Sequence, residues 1–186
     1  MSTTEQAPGD AAGDVFVALL RGINVGRNRR IRMADLREAL AAAGFGRVRT
    51  LLQSGNVVLD AAGATPAEVG RRVHDAVLAC SGFDVAVVVR TAAELADVVA
   101  RSPLPEPEDG ARYVVAFLAG PAEEIEPPEL PEGSREQWWR SGREVYVWCP
   151  DGLLGSPVME HFAGRDAPVT VRNWNTVTGL ARLIGG

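Results

Sequence analysis

Between positions 21 and 32 the chain carries five arginines and no acid, in a protein whose formal net charge is −5. Arg21, Asn24, Arg27 and Asn28 lie there beside Gly22 and Gly26. Backbone amides freed by glycines, next to guanidinium groups and ahead of a helix N-terminus, are what a phosphate or carboxylate needs. A second polar run, Gln53-Ser54-Gly55-Asn56, offers a hydroxyl and two amides. A third, Arg172-Asn173-Trp174-Asn175, places a guanidinium next to an indole. Such a pair binds a planar acid or a base through bidentate hydrogen bonds and stacking. Each run also has a purely structural reading. Ser, Gly and Asn are turn residues, either asparagine of the third run can cap a helix, and loop arginines can be solvated or paired with acids such as Glu124 or Glu129.

Composition removes several chemistries. All 19 basic side chains are arginine, so a Walker-type phosphate loop and a Schiff-base enzyme, both of which need lysine, are excluded. His74 and His161 are the only histidines and neither lies in a recognisable catalytic motif. With only Cys80 and Cys149, reduced thiols are expected, and no Cys/His spacing suits a metal, so neither a metal nor a cofactor is called for. Cys80, on the apolar stripe of its helix, is expected to be a buried, inert thiol. No apolar run is long enough to span a bilayer, no signal region opens the chain, and the expected address is the cytoplasm.

The elements that must position these runs follow from periodicity. Residues 1–14 have none and read as a disordered tail. The run 15–20 is apolar throughout, too short for a helix, and reads as a strand buried on both faces. Helical spacing follows over 33–43, then strands at 48–53 and 57–60 joined by a Ser-Gly-Asn turn, a helix opened by the capping box Thr65 to Glu68, and a strand at 85–89. That order, strand, helix, strand, strand, helix, strand, is the order of a ferredoxin-like unit. In such a unit the loop after the first strand and the hairpin share one end of the sheet, which brings the first two polar runs together.

A second capping box, Thr91 to Glu94, starts a linking helix. Beyond it the pattern repeats: a strand at 113–118, a hairpin over 135–140 and 143–149 turning at Ser141-Gly142, a short helix at 156–163 and a strand at 169–172. A C-terminal helix then buries Val177, Leu180, Ala181 and Ile184. The helix this repeat calls for, at 121–133, contains four prolines. The fold class is therefore α+β, two ferredoxin-like (βαββαβ) repeats packed together. The divisions are a tail at 1–14, a first repeat at 15–90, a linking helix and Pro-rich linker at 91–110, and a second repeat with its C-terminal helix at 111–186.

Leu-Leu-Arg-Gly-Ile-Asn-Val-Gly at 19–26, Gln-Ser-Gly-Asn-Val at 53–57 and Arg-Asn-Trp-Asn-Thr-Val at 172–177 together resemble the signatures of the bacterial family known as domain of unknown function 1697. The resemblance runs from about Val15 to the C-terminus and implies two closely associated ferredoxin-like repeats, with no assigned activity. The chain departs from the family pattern where basic residues are common, near Gly155, Pro157 and Gly179, and Arg27 stands where a second glycine is frequent. Three functions compete. The first is binding, or an enzyme's turnover, of a small anionic ligand such as a phosphate ester or nucleotide. Its candidate site residues are Arg21, Asn24, Arg27, Asn28, Gln53, Ser54, Asn56, Arg172, Asn173, Trp174 and Asn175. The second is a nucleic-acid module stacking bases on Trp139, Tyr146 and Trp148, disfavoured by a pI near 5.1. The third is an interaction protein using the acidic stretch 106–136.

Overall fold

The structure, a computed structural model, describes residues 14–25, 29–126, 128–163 and 169–185. The tail, apart from Asp14, and the loop residues Arg27 and Asn28 lie outside the described residues.

Strand β1, Val15–Leu20, is buried from Phe16 onward. Successive strand side chains face opposite sides of a sheet. Phe16, Ala18 and Leu20 enter one core, while Val17 and Leu19 enter another, which is why the run is continuously apolar. Helix α1 (Met33–Ala42), strands β2 (Gly46–Leu51) and β3 (Asn56–Asp60), helix α2 (Pro66–Ser81) and strand β4 (Val87–Thr91) complete a first antiparallel sheet in the order β2-β3-β1-β4. Helix α3 (Ala92–Ala100) follows directly. Strands β5 (Tyr113–Leu118), β6 (Gln137–Ser141), β7 (Glu144–Trp148) and β8 (Val169–Asn173) form a second sheet in the order β6-β7-β5-β8, with helix α4 (Pro157–Ala163) before β8 and helix α5 (Trp174–Gly185) after it. The fold is thus mixed α+β, with two four-stranded antiparallel sheets and five α-helices among the described residues.

Both capping boxes form. Glu68 N donates to Thr65 Oγ1 at 3.3 Å while Thr65 N donates to Glu68 Oε2 at 2.8 Å, and Thr91 and Glu94 exchange the same pair at 2.8 and 3.1 Å. Three cores result. One lies between the first sheet and α1 and α2, one lies on the outer face of the second sheet under α4, and the central one collects both inner sheet faces around α3 and α5. Tyr146 is fully buried in that central core and donates its hydroxyl to Val98 O at 2.7 Å, so it offers no face to a base. Trp139 and Trp148 are half-buried against the same core.

Four expectations need correction. Strands β2 and β4 lie two residues before and after the predicted positions, at 46–51 and 87–91. Asn56 belongs to β3 rather than to the turn, which occupies 52–55. The helix expected over 121–133 is a single 3-10 turn at Ala122–Glu124, in a segment whose prolines lack the N–H donors a longer helix requires. Cys80 is exposed rather than buried, because the apolar stripe of α2 consists of Val69, Val73 and Val77.

Gly55 sets the approach of the β2–β3 turn to β1. Its φ is +76°, and a Cβ there would stand 2.7 Å from Leu20 Cβ and 2.9 Å from the Ile23 side chain. Gly55→Val is therefore expected to cost at least about 1 kcal/mol, read as a lowered denaturation midpoint with unchanged slope. An unchanged midpoint would contradict the left-handed backbone.

Candidate functional site

The three polar runs meet at the end of β1. Leu20 N donates to Gly55 O at 2.8 Å, so the β2–β3 turn closes over the strand's last residue. Asn24, at φ 57°, donates Nδ2 to Gln53 O at 2.7 Å and to Ile31 O at 2.9 Å, and accepts from Ile31 N at 3.0 Å. Asparagine tolerates this left-handed conformation, and its amide ties the loop to itself and to the hairpin. Arg172, the fourth residue of β8, crosses from the second sheet to the first. Its Nε donates to Asn56 Oδ1, its Nη1 to Thr170 Oγ1 at 2.7 Å and Val171 O at 2.8 Å, and its Nη2 to Leu20 O at 2.8 Å, Ser54 O at 3.1 Å and Gly55 O at 3.5 Å. Asn56, fully buried, is held by its own Nδ2, which donates to Leu51 O at 2.9 Å and Ser54 Oγ at 3.0 Å.

Arg172 is 8% exposed, and all six of its acceptors are neutral oxygens. Burial pushes its pKa down to about 10, so the guanidinium is charged at neutral pH. Among the described residues no carboxylate pairs with it. Beside it opens a cleft of about 370 Å³ lined by Arg21, Ser54, Thr170 and Arg172 together with Ile23, Val25, Met159, Phe162, Val169 and Val171. Two guanidinium groups and no carboxylate line this cleft among the described residues. Asn24 and Gln53 open instead onto a neighbouring pocket with Arg32, Asp35 and the exposed Cys80. Desolvation pushes the Cys80 thiol above its ordinary pKa, which does not favour a thiolate nucleophile.

The rest of the third run faces elsewhere. Asn173 Oδ1 accepts from Thr176 N at 3.0 Å and from the Thr176 hydroxyl at 2.8 Å, capping α5. Trp174 is 5% exposed and packs on Tyr113 with ring centroids 5.2 Å apart, inside the central core. Asn175 is exposed beside Gly110, where an added Cβ would meet its Oδ1 at 2.3 Å. The structure therefore brings Arg21, Ser54, Asn56 and Arg172 together, sets Asn24 and Gln53 at the margin, and gives Asn173 and Trp174 structural work.

A second arginine mirrors Arg172. Arg90, the fourth residue of β4, is 1% exposed and crosses from the first sheet to the second. It donates to Val89 O at 2.9 Å, Leu118 O at 2.8 Å, Arg143 O at 3.2 Å and Glu144 Oε1 at 2.7 Å. The registers correspond: Arg90 pairs with the third residue of β1 and Arg172 with the third of β5, while Asn56 and Glu144 each pair with the fifth. Each arginine is followed by a cap, Thr91 for α3 and Asn173 for α5. Sequence reasoning missed Arg90 and Glu144. The signal available was Val-Val-Val-Arg-Thr at 87–91 against Val-Thr-Val-Arg-Asn at 169–173, an apolar strand closed by arginine and a capping residue.

The Arg90 cleft, about 860 Å³, is also lined by Arg71, His74, Asp75, Asp84 and Arg143. It therefore mixes both signs of charge. Among the described residues no group of three His, Cys, Asp or Glu is arranged for a metal, and no helix is long and apolar enough to cross a membrane.

The family described as a protein of unknown function, DUF1697, matches residues 14–146. The chain belongs to that family. Among solved structures, it is similar to a conserved bacterial protein, SP0830, from Streptococcus pneumoniae, at 20% identity and a TM-score of 0.70, over 92% of this chain and 98% of that one. At that identity the likeness concerns the fold alone. Nothing among the curated proteins matches the chain.

Two outcomes follow from this geometry. Arg172→Ala is expected to lose about 3 kcal/mol or more of stability in denaturant unfolding, since it strands buried acceptors on both sheets. Arg172→Lys should recover little of it, because an ammonium cannot span the fork. His74 bridges Asp75 at 3.0 Å and Asp84 at 2.7 Å, and hydrogen bonds to these two carboxylates raise its pKa above 6.5. A raised folded pKa contributes stability below the unfolded value that is lost as pH rises through the folded one. Melting curves of His74→Gln and the unaltered protein should thus differ at pH 5.5 and converge in alkaline solution.

Proposed function

We propose that this protein binds a small anionic ligand in the cleft beside Arg172, and that its scaffold is a duplicated ferredoxin-like unit. The observation that carries the reading is a buried, charged guanidinium with only neutral acceptors, next to Arg21, in a cleft lined by no described carboxylate. In an acidic chain such a place attracts anions. Because Arg172 spends its N–H groups on the protein, it acts through its charge, and the direct contacts come from Arg21 and Ser54. Ser54 Oγ already accepts from Asn56 Nδ2 and can donate its own hydrogen. Ile23, Val25, Met159 and Phe162 fit a small apolar body behind the anionic head, as in a phosphate ester or a carboxylic acid. The strand orders and the corresponding arginines support the duplication, with β4–α3 and β8–α5 as equivalent endings. The stacking alternative for nucleic acid loses Tyr146, which lies in the central core.

A thermal-shift screen of nucleotides, sugar phosphates and carboxylates tests this reading. A ligand at 100 times its dissociation constant contributes about 2.7 kcal/mol, and at about 2 to 4 °C per kcal/mol the melting temperature should rise by roughly 5 to 10 °C. Arg21→Ala should remove the shift. If no member of the screen stabilises the chain, or if the shift survives without Arg21, the cleft is not an anion site.

A further inference from the structure

The two arginine clamps occupy equivalent positions and differ in one charge. At the first residue of β7, Glu144 gives Arg90 a carboxylate at 2.7 Å, with both side chains almost fully buried. At the first residue of β3, Asn56 gives Arg172 an amide oxygen instead. Three further pairs of acceptors correspond, while Thr170 Oγ1 and Ser54 O accept from Arg172 without a counterpart at Arg90: Leu118 O and Leu20 O end β5 and β1, Arg143 O and Gly55 O precede β7 and β3, and Val89 O and Val171 O precede the arginines themselves. One clamp is thus neutral and the other carries a net positive charge.

We infer that Asn56 is the specificity-determining residue of the Arg172 cleft: as an amide rather than a carboxylate it leaves the guanidinium charge for a bound anion. This rests on the anion-binding reading of that cleft. Asn56 does not touch the ligand. It is a positioning residue that satisfies the Nε hydrogen without cancelling the charge, and Glu144 is the internal demonstration that the same corner of the fold accepts an acid. A carboxylate has the same acceptor geometry as the amide but returns the local charge to zero, so an anion in the cleft would face an ion pair instead of a cation. The neutral form also explains why Asn56 carries two donor contacts, to Leu51 O and Ser54 Oγ, which a carboxylate could not make.

The test is calorimetric titration with inorganic phosphate of the full chain and of Asn56→Asp, Asn56→Glu and the neutral Asn56→Gln, each checked for native circular dichroism and melting temperature. The expected result is phosphate affinity at least about tenfold weaker in both charged variants and within about threefold of the unaltered protein in Asn56→Gln. Charged variants that fold and bind as the unaltered protein does overturn the inference while leaving the anion site in place. So does a neutral variant that loses as much affinity as the charged ones. A chain that unfolds when an acid replaces Asn56 overturns it too, since the inference requires the corner to hold a carboxylate as its counterpart does. Absence of phosphate binding by the unaltered protein sinks both readings at once, and so separates that failure from the others.

Discussion

The two sheets are locked by reciprocal insertion of a buried arginine. Each last strand, β4 or β8, sends a guanidinium out of its own sheet to collect the carbonyls that end the first strand and close the hairpin of the other. A guanidinium suits this task because its planar fork supplies five N–H donors in fixed directions. Buried backbone carbonyls need partners, and Gly55 O and Arg143 O accept from the forks as well as from the amides of Leu20 and Leu118. The apolar inner faces hold the halves together non-directionally. The clamps fix their register, since a slip of one residue would separate the forks from their acceptors.

From that constraint follows the position of the chemistry. The clamps must sit where strand ends, hairpin turns and the partner's last strand converge, so each leaves a cleft at its own edge. Around Arg172 the first loop and α4 wall the cleft, and around Arg90 the start of α2 and the loop before β4 do so. The clefts share a skeleton and differ in lining, cationic in one case and mixed in the other. On the duplication and the anion site proposed above, the exchange of an acid, Glu144, for an amide, Asn56, is what divides the two clefts.

The fold was legible to the extent that burial was two-sided and local signals were strong. The continuous apolar runs at Val15–Leu20 and Tyr113–Leu118 announced central strands, and the capping boxes at Thr65 and Thr91 fixed two helix starts to the residue. The hairpin of β2 and β3 was displaced because its Ser-Gly-Asn reads as a turn, whereas Asn56 is pulled into the strand by a partner 116 residues away. No local pattern contains that contact. Cys80 follows the helical spacing of Val73 and Val77 yet is exposed, because spacing alone does not say which turns of α2 are covered. The site was legible as three motifs but not as a division of labour. Arg172 and Trp174 carry the sequence-level case for binding and stacking, yet the indole fills the central core, while Asn173 caps a helix as the structural reading of that run has it. Only the tertiary placement of Arg172 distinguishes a charge held for the fold from one held for a ligand.

On the proposed reading Arg172 serves both the fold and a ligand, and the magnitudes of the two roles are compatible. Six neutral oxygens around the guanidinium satisfy its hydrogens and solvate its charge with oriented dipoles, which offsets much of the desolvation that lowers its pKa, without cancelling the field beyond them. At an effective dielectric constant of about 20, an anion about 6 Å from that charge gains about 3 kcal/mol, near two orders of magnitude in affinity. An ion pair in the same place leaves only a dipole, whose field falls off faster with distance. The clamp that lacks an acid is thus no less well hydrogen-bonded than the one that has it, and the charge it withholds from the fold remains directed at the cleft.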